Sequence, residues 1–357
     1  MPQEIVRIPS PIDAHVHLRE PGATQKEDFM TGTRAAIAGG YTTVLDMPNN
    51  PKPFETTTPE NLHEKIKLAQ DRIFCDVGFH FGGVSESIPY FDEIRDEVFE
   101  LKVYMNHTTG PLLVENPLEL QEVFSKWPRN KIIMVHAEGE TLKAALDLTQ
   151  RNQRRLHVCH VSQKREIEMI KDAKEEGLQI TCEVSAHHLF LTKADASTLG
   201  PYGIMRPPLA TEKDRLFLWA NMDVIDIIAS DHAPHTIAEK EGEKPPFGVP
   251  GLETTLPLML NAVADEKLTL ERLIELVSYA PRRIFGIRPT DGTYTEVDLS
   301  KRYTIDSSQL QTKAGWTPFD GARVKGKVTK TVLRGEVVFN GEEVLEKPRG
   351  RVIYPYS

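Results

Sequence analysis

A (β/α)8 barrel with a small β-rich appendage is the fold class this sequence predicts. Three observations lead there. Short apolar runs rich in β-branched residues recur eight times, and amphipathic helical stretches separate most of them. The alternation occupies about residues 10–290, close to the roughly 250 residues typical of such a barrel. A doubly wound open sheet is the competing architecture. It calls for a glycine-rich phosphate loop after the first strand, and HLREPGATQKED (17–28) is not one.

The predicted strands, in order, are PIDAHVH (11–17), YTTVLDMP (41–48), CDVGFHFG (75–82), LKVYMN (101–106), KIIMVHAE (131–138), LHVCHV (156–161), LQITCEVS (178–185) and VIDIIASDH (224–232). Each has the length and apolar continuity of a strand buried on both faces. The helices between them include EDFMTGTRAAIAGG, TPENLHEKIKLAQ, NPLELQEVFSKW, EGETLKAALDLTQ and SQKREIEMIKDAKEEG. The first and last of these end at glycine, a common helix stop. TIAEKEGEKPPFGVP (236–250) reads as a loop with solvated charges. After about residue 290 the texture turns to alternating apolar residues, with an Asn340-Gly341 hairpin signal in KGKVTKTVLRGEVVFNGEEV. Residues 291–357 are therefore expected to form the appendage, pairing with residues 1–9.

Composition narrows the function classes. Hydrophobic residues make up 39% and charged residues 27%, as in an ordinary globular protein. No stretch approaches a membrane span, and the N-terminus has no apolar signal core. Three cysteines form no disulfide framework and suit a reduced, cytoplasmic setting. A net charge of -9 disfavours nucleic acid as a partner. It leaves room for a small anionic substrate, which needs only a few local cations.

Chemistry in a barrel sits at the C-terminal ends of the strands. The first run carries His15 and His17, two apart and so on one side of a strand. Later runs carry Lys102, His136, Cys159 with His160, Glu183 and Asp231. Imidazole and carboxylate suit zinc. A free ammonium does not, so Lys102 can join such a site only after losing its charge, as in a carbamate formed with carbon dioxide. Taken singly, a strand-end histidine is more often a hydrogen-bonded core residue, Lys102 a snorkelling lysine and Cys159 a small hydrophobe. The ordered set is what points to a metal centre.

At these residues the sequence resembles the amidohydrolase superfamily and, more closely, dihydroorotases of the type found as a domain of the animal multifunctional pyrimidine-synthesis protein. DAHVHLREPG, MPNN (47–50), HVCHV, CEVSAHHLFL (182–191), MRPPL (205–209), ASDHAPH (229–235), FGVPGLETTLPL (247–258) and WTPFDG (316–321) match in order and cover nearly the whole chain. The resemblance implies reversible hydrolysis of dihydroorotate to N-carbamoyl-aspartate. It implies His15 and His17 on one zinc, His136 and His160 on a second, a carboxylated Lys102 bridging them, and Asp231 as ligand and general base. Arg19, Asn49, Arg206 and His235 match the groups that hold the substrate carboxylate, and Thr108 matches an active-site loop. Cys159 and Glu183, with His188 nearby, fit either a third zinc or packing around the first two. Thr109 stands where the animal domain has an aromatic, so loop closure is expected to be weaker or achieved otherwise. A homodimer, and association with aspartate carbamoyltransferase, are the partners implied.

Two rival readings remain. Dihydropyrimidinases, hydantoinases and allantoinases share the barrel, lysine and metals but have no need of the Arg19 cradle. A catalytically dead scaffold would be expected to lose ligands, whereas all six positions of the binuclear set are present.

Overall fold

The computed structural model describes residues 4–345 and 347–356. Its strands are β1 (Ile5–Pro9), β2 (Ile12–Val16), β3 (Thr43–Asp46), β4 (Asp76–Phe79), β5 (Phe81–Gly82), β6 (Leu101–Tyr104), β7 (Ile132–His136), β8 (Arg155–Val158), β9 (Gln179–Val184), β10 (Ile227–Ile228), β11 (Tyr294–Thr304), β12 (Arg323–Leu333) and β13 (Glu336–Phe339). β2, β3 and β4 pair in parallel, and β5 to β10 form a parallel sheet in sequence order. β4 and β5 belong to one run, interrupted at His80. The ring closes between its first and last strands through a parallel Val16–His232 bridge, where the His17 N–H donates to the His232 carbonyl at 2.8 Å. The eight sequence runs thus supply the eight barrel positions.

The last run is the exception in length. Only Ile227 and Ile228 of VIDIIASDH are strand. Beyond them the Ser230 N–H turns to the Asp13 carboxylate, and Asp231 adopts a left-handed φ of 46°, which no regular strand accommodates.

Helices on the outside follow local capping chemistry. α1 (Phe29–Ala38) starts where the Asp28 carboxylate accepts from the Thr31 N–H at 2.8 Å, and it stops at Gly39-Gly40. α2 (Pro59–Ala69) has Thr58 as cap and proline at its first position. α3 (Phe91–Ile94) is a single turn, and α4 (Pro117–Lys126), α5 (Glu140–Asn152) and α6 (Lys164–Glu175) cover the next strands.

The chain ends make an antiparallel sheet in the order β1-β11-β12-β13. Ile8, Val297, Val328 and Leu333 lie in the same buried cluster as the barrel residues, so this sheet shares the barrel's core. Two expectations change here. The β12–β13 turn is Arg334-Gly335, both at positive φ (53° and 82°), as a two-residue hairpin of this hand requires. Arg334 is held there by two bonds from its guanidinium to Asp76, at 2.8 and 3.0 Å. Asn340-Gly341 makes only the small return bridged by Phe339 and Val344. In the 236–250 segment, Ile237–Lys240 is a helical turn and Lys240 is buried, not solvated, because its ammonium finds backbone carbonyls inside.

Candidate active site

His15, Lys102, His136, Cys159, His160, Glu183 and Asp231 meet at the C-terminal mouth of the barrel, all buried. One donor atom from each of His15, His17 and Asp231 lies within 4.8 Å of the others, and the same holds for His15, Cys159 and Glu183. His17 Nε2 is 3.2 Å and His15 Nε2 3.4 Å from Asp231 Oδ1. His136 Nδ1 is 2.9 Å from His160 Nε2, and the rings of His15 and His160 are 5.3 Å apart. Lys102 Nζ touches Cys159 Sγ at 2.8 Å.

A cavity of about 410 Å³ opens over His17, Arg19, Asn49 and Thr109. A narrower recess shares those four residues and reaches His15, Thr108, His136, His160, Arg206 and Asp231. His15, His17, His136, His160 and Asp231 therefore face one space with Arg19, Asn49 and Arg206, on the scale of a small-molecule site; His235, predicted to join them, is buried beside it and lines neither opening.

Residues 6–338 match the amidohydrolase family. The chain belongs to that family. Within it, the dihydroorotase of Pyrococcus furiosus is 36% identical over 98% of this chain and 85% of its own length. The multifunctional protein CAD of Squalus acanthias is 45% identical over 97% of this chain, which spans 15% of that much longer protein. Among solved structures, the L-hydantoinase of Arthrobacter aurescens superposes with a TM-score of 0.92 at 28% identity, covering 99% of this chain and 89% of that one. An inactive dihydroorotase-like domain of a Chaetomium thermophilum CAD-like protein shares the fold, with a TM-score of 0.84 at 24% identity over 98% and 99% of the two chains.

The donor set has the chemistry that amidohydrolase metals require. Burial brings His17 down to about 3 and holds His160 well below its ordinary range, so both imidazoles are neutral. Burial opposes the ionised form of Asp231, but His15 and His17 outweigh it and keep the carboxylate below its usual range. Burial also opposes the charged form of His15, yet Glu183 and Asp231 push it up to about 10. That proton marks a place where two carboxylates demand a cation, and metal binding would release it. His136 Nδ1 and His160 Nε2 face each other at 2.9 Å, while His160 Nδ1 is buried without a partner.

Glu183 is engaged from three sides. It pairs with His15 Nδ1, accepts from the His160 N–H at 3.2 Å and lies 3.1 Å from His157 Nε2. A third zinc held by His15, Cys159 and Glu183 would take the place of the His15 contact, while the contacts to His157 and His160 fit the packing alternative. Carboxylates in this position fix the tautomer and ring orientation of a ligating histidine. His188 Nε2 donates to the Pro207 carbonyl at 3.1 Å, leaving Nδ1 unpartnered.

On the substrate side, Arg19 Nε donates to Pro234 O at 3.1 Å and its Nη2 lies 3.2 Å from His235 Nε2. Lys26 Nζ donates to His235 Nδ1 at 3.1 Å, so His235 carries its proton on Nε2 and gives it to Phe247 O at 2.9 Å. The Arg19–His235 approach is then between two donors. Asn49 accepts from His17 Nδ1 at 2.8 Å and donates to Thr109 O at 2.9 Å, so it orients a metal ligand as well as lining the cavity. The guanidinium of Arg206 stacks on Phe247 at 4.6 Å. The loop carrying Thr108 is closed over the site: the Thr109 hydroxyl accepts from Phe247 N and donates to Phe247 O, both at 3.0 Å. Two hydrogen bonds thus join this loop to Phe247 where Thr109 replaces the aromatic.

Arg19, His160 and Asp231 are non-glycine residues at φ of 64°, 35° and 46°. Such backbone costs about 1–3 kcal/mol each and gathers at functional sites. Sequence reasoning missed Tyr104, which lines the recess, Glu138, 3.1 Å from His136 Nε2, and Phe247. Tyr104 and Glu138 stand two residues beyond Lys102 and His136, so strand alternation was a usable signal. Phe247 opens the FGVPGLETTLPL segment that carries the resemblance, but no role was read from it.

Proposed function

We propose that this chain is a zinc-dependent dihydroorotase, converting (S)-dihydroorotate reversibly to N-carbamoyl-L-aspartate in de novo pyrimidine synthesis. The observation that carries the reading is the shared space: a histidine–carboxylate cluster and the two guanidinium groups of Arg19 and Arg206 line one recess. Its near-full-length similarity to named dihydroorotases supports it.

His15, His17 and Asp231 would hold one zinc, His136 and His160 the other, with carboxylated Lys102 between them. Carbon dioxide adds to the neutral Lys102 amine, forming an N–C bond and releasing one proton, which removes the buried cation. When bound, such metals supply a nucleophilic hydroxide near neutral pH and polarise the amide carbonyl. Asp231 accepts the nucleophile's proton and delivers it to the departing ring nitrogen. Arg19 and Arg206 take the substrate carboxylate through charge-assisted bonds, and His235, whose ring is spent on Lys26 and Phe247, braces them from behind. Asn49 holds His17 in one tautomer, and the Thr109–Phe247 latch excludes water. The hydantoinase alternative leaves Arg19 with no anion to bind, and the scaffold alternative leaves six intact ligand positions unused.

A homodimer, association with aspartate carbamoyltransferase and a cytoplasmic location complete the proposal. Support comes from the CAD relatives and from three buried free cysteines; no described helix is long and apolar enough to cross a membrane. The test is an assay of zinc-loaded protein, with bicarbonate, on dihydroorotate, carbamoyl-aspartate, dihydrouracil and hydantoin. Turnover of the carboxylated pair alone is expected. Preference for the neutral rings would overturn the substrate, and zinc-bound protein inactive on all four would favour the scaffold.

A further inference from the structure

Lys240 is a buried ammonium with no carboxylate in salt-bridge contact among the described residues. Its three N–H groups are spent on backbone carbonyls: Ile204 and Pro246 at 3.0 Å and Gly248 at 3.2 Å. The Trp316 ring lies 5.5 Å away, and the Trp316 indole donates to His235 O at 2.8 Å. A charge taken out of water without a counter-ion is costly, so this one needs a reason to be inside.

The carbonyls it gathers belong to the two segments that carry the substrate-side groups. Ile204 stands two residues before Arg206. Pro246 and Gly248 flank Phe247, whose ring supports Arg206 and whose carbonyl takes the His235 proton. The segments also meet directly, the Gly248 N–H donating to Ile204 O at 3.2 Å. Gly248 sits at φ 132°, where a Cβ would come within 2.6 Å of Ala233 O, so this segment also packs tightly against the strand end that leads to His235.

We propose that Lys240 is a positioning residue for substrate-carboxylate recognition, its ammonium binding the 204–206 and 246–248 segments together so that Arg206, stacked on Phe247, is presented with Arg19 to one anion. The inference rests on the dihydroorotase reading above. It separates binding from chemistry, because no atom of Lys240 reaches the cavity or the metal ligands.

The test compares zinc-loaded wild type, Lys240→Met and Lys240→Arg in steady-state turnover of dihydroorotate, with zinc content and circular dichroism recorded for each. In K240M, KM should rise about tenfold or more while kcat stays within about threefold and zinc is unchanged, the pattern of lost ground-state binding. K240R keeps the charge but misplaces the donors, and its KM should fall between the two. An active wild type with an unchanged KM in a folded K240M overturns this inference alone, as does a loss shared equally by kcat and zinc content. If K240M does not fold, an unchanged KM in K240R overturns it. A zinc-loaded wild type inactive on dihydroorotate overturns the function reading and this inference with it.

Discussion

Lys102 donates its ammonium to the Cys159 thiol at 2.8 Å, and both side chains are 1% exposed. No carboxylate among the described residues forms a salt bridge with that ammonium, while three imidazoles and Asp231 stand around it. A neutral or anionic derivative of the lysine resolves this mismatch. Protein prepared with isotopically labelled bicarbonate should carry one carbamate, visible by NMR in the zinc-loaded protein and absent in Lys102→Ala. Turnover of that variant should drop about a thousandfold or more, and a short-chain carboxylic acid should restore part of it by supplying the missing oxygens. An active Lys102→Ala without added acid would remove the lysine from the centre.

On the proposed mechanism, Asp231 has a role separable from metal binding. Asp231→Asn keeps an oxygen in place but cannot take a proton. It should retain zinc while turnover falls about 10²–10⁴-fold, the usual contribution of a positioned acid–base group. Near-normal kcat, measured with zinc content in the same preparation, would end the acid–base assignment.

Glu183 acts through His15. Burial disfavours its ionised form, but His15 and His157 outweigh that and hold the carboxylate well below its ordinary range. Replacing it with glutamine removes the charge that orients the ring. Zinc affinity, read by competition with a chelator, should fall about 10–100-fold, as for other partners of ligating histidines. An unchanged affinity would mean that His15 is held by its neighbours without Glu183.

Stability should carry a pH signature from the opposite end of the barrel. Glu100 is buried and accepts the Ile132 N–H at 2.6 Å. Burial pushes its carboxyl up, with Lys131 opposing, to about 8 from an ordinary 4.5. A folded pKa above the unfolded one means that the native state holds the proton longer. The stabilising contribution is then full below about 4.5 and is lost as pH rises toward about 8. Glu100→Gln should flatten that decline in urea unfolding between about pH 5 and 8, the difference from the parent isolating this group. Parallel pH curves for the two proteins would show that Glu100 titrates normally.

The sequence by itself determined the barrel and which polar residues stand at its strand ends. Eight buried strands have to read as apolar runs, and a strand's two-residue period places His15 and His17 on one side whatever surrounds them. The ligand residues were legible because metal chemistry restricts residue type at strand ends. What the tertiary structure decided are relations between segments distant in the chain. Whether Glu183 binds a metal or steers His15 depends on a pairing across 168 positions. The latch joins Thr109 to Phe247, and Lys240 looked like a solvated charge until three carbonyls from two segments were seen around it. Arg334-Gly335, and not Asn340-Gly341, became the main turn because Asp76, from a barrel strand, holds Arg334 in a conformation its own side chain disfavours. Local propensity and periodicity act over a few residues, whereas burial, desolvation and hydrogen-bond completion are settled only when the whole chain has closed on itself.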